Sequence, residues 1–106
     1  MSSASGAATL FAALGDETRL ELLGRLSAQG PGSTARLRAR SKLTHQAITK
    51  HLVVLSAAGL VRSRHQGRER IWQLAPERLT AAHGYLDRIS QQWDDALARL
   101  KAFVEE

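Results

Sequence analysis

No cysteine occurs among the 106 residues. Disulfides, thiolate metal sites, thiol redox sensing and cysteine catalysis are excluded together, and the composition fits the reducing cytoplasm, the expected location. Long apolar runs are also missing. Hydrophobic residues make up 43% of the chain, but they fall in short periodic groups and never in the ~20-residue run that a membrane span requires. The opening stretch MSSASGAAT has neither the basic nor the apolar segment of a secretion signal. It reads as a frayed terminus, with residues 1–8 expected to be flexible. No phosphate-cradling glycine loop, nucleophile elbow or HExxH zinc motif is present, and the acids are scattered over helix surfaces. Neither catalysis nor a cofactor is expected.

What is present is basic charge in one place. Nine cations (Arg36, Arg38, Arg40, Lys42, Lys50, Arg62, Arg64, Arg68 and Arg70) stand against the single acid Glu69 in residues 36–70. That third carries +8 in a chain whose whole carries +5, so the remainder is acidic. Such concentration suits phosphate binding, because each neutralised phosphate releases condensed counterions. A solvated charged face is the alternative that charge alone leaves open.

The order of elements bears on that choice. At this length one domain, residues 1–106, accounts for the chain. Leu10, Phe11 and Leu14 mark a first helix that stops near Gly15. Asp16 caps a second, which carries Leu20, Leu22, Leu23 and Leu26 and ends before Gly30. Ser33 or Thr34 opens a short third helix with Leu37 as its clearest core residue. Thr44 caps the best-defined helix, where Ile48, Leu52, Leu55 and Ala58 repeat at steps of four and three before Gly59. Its other side presents Gln46, Thr49, Lys50 and Val53. Residues 60–65 and 69–74 alternate as two strands around Gln66, Gly67 and Arg68, with the glycine supplying the positive φ of the turn.

Pro76 then opens a last helix whose stripe is Leu79, Ala82, Leu86, Ile89, Trp93, Leu97, Leu100 and Val104. Residues 76–104 form a near-heptad helix whose stripe is roughly 40 Å long. A domain this small cannot cover it, so part of the stripe is expected to pack on a second subunit; a helix lying wholly on its own domain is the alternative. The fold class is therefore mostly α with a small β-hairpin, in the order α-α-α-α-β-β-α.

The segments LGDETRLELLGRL (residues 14–26), QAITKHL (46–52), LSAAGLV (55–61) and GRERIWQL (67–74) together resemble the ArsR family of bacterial winged helix-turn-helix repressors. The resemblance spans about residues 8–104. It implies a winged helix-turn-helix that dimerises through its first and last helices, with Leu10, Phe11, Leu14, Leu86, Ile89, Trp93, Leu97 and Leu100 at the interface. It also implies a DNA-binding regulator, expected to be a homodimeric repressor that occludes a promoter. Two alternatives stand beside that reading: a winged helix used for protein contact, and a sensor with an effector or metal site at the dimer interface.

Helix-turn-helix docking places Thr44, His45, Gln46, Thr49 and Lys50 in the major groove. Gln46 suits adenine, Lys50 suits guanine or phosphate, and threonine methyls suit thymine. Arg64, Arg68 and Arg70 are expected at phosphates or in the minor groove, and Arg62 is the wing arginine free to pair within the fold. Arg38, Ser41 and Lys42 depart from the alanine, leucine and glycine usual in the family's third helix and turn. A left-handed Lys42 would cost about 1 to 2 kcal/mol relative to glycine, while Arg38, Arg40 and Lys42 become candidate phosphate contacts. The resemblance makes His51 a packed, structural histidine and Trp72 reads as core. His83 and Asp87, four apart on one face, form either an interface pair or part of a metal site shared between subunits, and no metal is expected.

Overall fold

Among the residues described by the computed structural model, 3–105, five helices and one three-stranded antiparallel sheet are formed. In chain order they are α1 (Ser3–Leu14), α2 (Glu17–Gln29), β1 (Gly32–Ser33), α3 (Thr34–Arg38), α4 (His45–Ala57), β2 (Val61–Gln66), β3 (Glu69–Leu74) and α5 (Pro76–Glu105). The α-α-α-α-β-β-α order is that read from the sequence, with one short strand added. Helix α1 begins at Ser3, inside the stretch expected to be flexible. Its small residues carry no amphipathic signal, but alanine is the strongest helix former.

Side-chain caps fix the helix starts. Asp16 accepts from the Arg19 N–H at 3.0 Å, Ser33 from Arg36 at 3.1 Å and Thr44 from Ala47 at 3.1 Å. The end of α4 is a Schellman closure: the Leu60 N–H reaches the Leu55 carbonyl at 3.0 Å, and the Gly59 N–H reaches Ser56 at 2.9 Å. Gly59 stands one place beyond the cap, Ala58, with φ of 78°. Because the Leu60 N–H is used there, β2 starts at Val61.

Strand β3 is central, with β1 and β2 on its two sides. Gly32 faces Trp72 and Ser33 faces Ile71, while β2 pairs from Val61–Leu74 to Gln66–Glu69 around the two-residue turn Gly67-Arg68. Residues directly opposite share a face. One face of the hairpin therefore carries Val61, Ser63, His65, Arg70, Trp72 and Leu74; the other carries Arg62, Arg64, Gln66, Glu69, Ile71 and Gln73. The first face closes on the core, where Trp72, Ile48, Leu52, Leu55 and Leu60 are fully buried.

Helix α5 is 30 residues long, about 45 Å at 1.5 Å per residue. Only Ala82 on it is buried, and the chain extends 68 × 31 × 20 Å. The radius of gyration, 18.2 Å, exceeds the roughly 13 Å of a compact domain this size. The excess is the second half of α5, which projects from the body. No helix among the described residues is long and apolar enough to cross a membrane.

Candidate nucleic-acid interface

Helix α4 is split by burial. Ile48, Leu52 and Leu55 are buried against the other helices and the sheet, so the side chains between them are turned outward. Thr44, Gln46, Ala47, Thr49, Lys50 and Val53 line one open depression along that outer face. His45, Gln46 and Lys50 are exposed, and the Thr49 hydroxyl donates to the His45 carbonyl at 2.9 Å. The Thr44 oxygen is used as an acceptor in its cap, which leaves its O–H available as a donor. Of the five residues expected at base edges, Thr44 is the cap and Gln46, Thr49 and Lys50 lie on this face in the first two turns, while His45 lines a separate depression with Ala35, Arg38, Ala39 and Ser41. Val53, 47% exposed, joins the same face as an apolar group suited to a thymine methyl.

Short α3 and its turn hold α4 in place. No non-glycine residue among those described has positive φ, so Lys42 does not adopt the left-handed conformation considered for it. One backbone bond and two side-chain bonds close the turn instead. The Ser41 N–H donates to the Arg38 carbonyl at 2.8 Å, the Ser41 hydroxyl accepts from Leu43 at 3.0 Å, and Arg38 Nε donates to the Leu43 carbonyl at 3.4 Å. Arg25, from α2, donates to the carbonyls of Leu37 and, at 3.0 Å, Arg36. Sequence reading gives Arg25 no role, since an arginine on an amphipathic helix looks like solvated charge.

The cations divide into two sets. Arg62 pairs with Glu77 at 3.0 Å; Arg64 donates to Gln73 at 3.1 Å; Arg70 donates to Ser63 at 3.1 Å and lies 4.3 Å over the Trp72 ring. Arg40, Lys42, Lys50 and Arg68 are exposed and make no hydrogen bond or ion pair among the described residues. Arg68 sits at the hairpin tip beside Gly67 and is the unengaged cation of the wing. The bond from Arg62 lowers the Glu77 carboxyl from its ordinary value, second to a hydrogen bond from the Glu77 backbone itself.

His51 is partly buried between α2 and α4, with Nδ1 3.4 Å from Arg19 Nη1 and 3.7 Å from Asp16 Oδ2. The Asp16 carboxyl is held below its ordinary value, first by the Arg19 backbone N–H and then by the charges of His51 and Arg19. Trp72 is core, and its indole N–H is satisfied by Thr34. His83 and Asp87 pair at 3.3 Å on exposed α5, and no group of three metal-ligating side chains occurs among the described residues.

The residues expected at a dimer interface fall into three groups. Leu10, 2% exposed, is part of the chain's own core and presents no surface to a partner. It is one turn from Leu14 on the side of α1 that rests on the domain, which corrects its placement. Phe11 and Leu14 are half-buried, with Phe11 5.7 Å from the Tyr85 ring of α5. Ile89 is half-buried, while Leu86, Trp93, Leu97 and Leu100 are exposed.

A family model described as a helix-turn-helix domain matches residues 14–64. Over 93 residues the chain is 36% identical to the HTH-type transcriptional regulator Rv2034 of Mycobacterium tuberculosis, covering 88% of this chain and 83% of that one. An ArsR-like transcriptional regulator from Rhodococcus sp. RHA1 superimposes with a TM-score of 0.80 at 39% identity, covering 93% of this chain and 92% of that chain. The homodimeric winged helix-turn-helix DNA-binding domain of a possible ArsR-family regulator from Mycobacterium bovis shares the fold. Its TM-score is 0.67 at 21% identity, and the match covers 87% of this chain and 84% of that chain.

Proposed function

Since the chain belongs to the ArsR family of winged helix-turn-helix transcriptional regulators and binds DNA as one, we propose that it is a homodimeric repressor that covers a promoter in the cytoplasm. The observation that carries the DNA half is the outer face of α4. An amide, hydroxyls and an ammonium stand there on a rigid helix whose opposite side is locked into the core. Thr44, His45, Gln46, Thr49 and Lys50 meet base edges and nearby phosphates. Arg68 reaches the minor groove or its phosphates from the wing tip. Arg38, Arg40 and Lys42 lie on the backbone side of the turn, with Arg40 and Lys42 the stronger phosphate contacts because neither is engaged within the fold.

The dimer half rests on α5. At 100° per residue, Leu86, Ile89, Trp93, Ala96, Leu97, Leu100, Phe103 and Val104 fall within an arc of about 120°. That is wider than the seam of a two-stranded coiled coil. The six largest exposed side chains of this face, Leu86, Trp93, Leu97, Leu100, Phe103 and Val104, are 52% to 77% exposed. A face this broad takes more than one helix, and a second copy supplies both its α5 and its α1. Phe11 and Leu14 then line the junction of the two subunits. A winged-helix dimer seated on a promoter acts on transcription most simply by covering it.

Sedimentation of Trp93→Glu and Leu97→Glu tests the reading. Both variants are expected to be folded monomers that no longer protect a promoter duplex in footprinting. Variants that stay dimeric would overturn the α5 seam. Wild-type protein that raises transcription from its own promoter would overturn repression.

A further inference from the structure

Two guanidinium groups tie α4 to the helices that carry the apolar seam. Arg19, on α2, donates from Nε to the Ala13 carbonyl at 2.6 Å and from Nη2 to the Ala12 carbonyl at 3.3 Å, at the end of α1. Its Nη1 faces His51, in the middle of α4, at 3.4 Å. Arg78, on α5, places Nε 3.4 Å from the Ala58 carbonyl that closes α4, and Nη2 3.5 Å from the Gly6 carbonyl of α1. The approach is close enough that a Cβ at Gly59 would stand 2.9 Å from Arg78 Cγ. Carbonyls at a helix C-terminus lack intrahelical partners, and a cation there meets the negative end of the dipole. Ala12, Ala13 and Ala58 are such C-terminal acceptors, whereas Gly6 lies in the first turn of α1; the planar guanidinium fork reaches two carbonyls at once in fixed directions, which a lysine ammonium does not.

We infer that Arg19 and Arg78 are positioning residues that set the angle of α4 against the α1 and α5 frame, and with it the separation of the two reading helices in the dimer. The inference rests on the dimeric DNA-binding reading above. Neither residue is on the outer face of α4, so each acts through geometry. Helix α4 has 13 residues, about 20 Å, and its reading end lies that far from the Ala58 anchor. A rotation of about 10° there moves the reading end by about 3.4 Å, one base-pair step. In a two-fold dimer both ends move, against half-sites that must lie about 34 to 36 Å apart.

The test uses a half-site selected by the wild-type protein from a random duplex library. Pairs of this half-site are built with centre-to-centre separations stepped one base pair at a time around one helical turn. Wild type, Arg19→Met, Arg78→Met, Arg19→Lys and Arg78→Lys are titrated on this panel, each after thermal melting and sedimentation establish fold and dimer. Wild type is expected to prefer one separation by roughly tenfold over its neighbours. The methionine variants should hold a single half-site as wild type does but lose most of that preference, with the lysine variants between. A purely structural role would weaken the whole panel by a common factor and leave the profile unchanged. Profiles that superimpose on wild type overturn the inference and leave the DNA reading standing, whereas a wild type indifferent to separation overturns both. If the methionine variants do not fold, the lysine variants decide on the same panel.

Discussion

The indole N–H of Trp72 donates to the Thr34 hydroxyl at 2.9 Å, and both side chains are buried. This bond joins the central strand of the wing to the first residue of α3, so wing and helix-turn-helix are set by one core contact. Thr34→Val keeps the shape but leaves the indole N–H unpaired, which costs about 1 to 3 kcal/mol. Urea unfolding should show that loss, and Thr34→Ser should recover most of it.

Two glycines of positive φ should respond differently to alanine. At Gly67, φ is 64° and the space around a Cβ is open, so Gly67→Ala pays the backbone cost alone, about 1 to 2 kcal/mol. At Gly59, φ is 78° and the new Cβ also meets Arg78. Gly59→Ala should therefore lower the melting temperature further than Gly67→Ala, and Gly59→Ala in an Arg78→Ala background should recover part of the difference.

The wing arginines should separate by assay. Arg68→Ala removes an unengaged cation and should reduce the slope of log K against log salt by about 1 with little change in stability. Arg70→Ala removes the stack over Trp72 and the bond to Ser63, so its main effect should be on the thermal midpoint. Gln46→Ala should cost about 1 to 3 kcal/mol on the preferred duplex and relax preference at one base pair. Anisotropy titrations over a salt series distinguish all three.

Acid should weaken the fold through Asp16 and Glu77. Both carboxyls have folded values below their ordinary ones. Each therefore contributes stability that is present at neutral pH, above the unfolded value, and is lost as pH falls below about 4 through the lowered folded value. Asp16→Asn keeps a capping oxygen but removes the titration. Its stability should depend less on pH than that of wild type between about pH 2 and 5 in chemical denaturation.

The sequence makes α4, the Gly67 turn and α5 legible because each has a strong local signal: a capping threonine with four-three spacing, a glycine between alternating segments, and a proline before a long stripe. Strand β1 is not legible. Two residues have no periodicity, and Gly32 and Ser33 become a strand only because β3 lies beside them. Leu10 and Leu14 share one face of α1 in the sequence, yet tertiary packing buries Leu10 and leaves Leu14 half-exposed. Of the expected reading residues, Thr44, Gln46, Thr49 and Lys50 line the open face because burial of Ile48, Leu52 and Leu55 dictates where the rest point, whereas His45 lies toward α3. Arg19, Arg25 and Arg78 were invisible as anchors, since their acceptors are backbone carbonyls, which every residue has.

The central claim is most directly tested by titrating the protein onto its own upstream duplex and onto random duplex, at several salt concentrations, with Lys50→Ala as control. Tight, salt-sensitive binding that favours the upstream duplex and weakens with Lys50→Ala is the predicted result. Absence of binding to either duplex at low salt would contradict it.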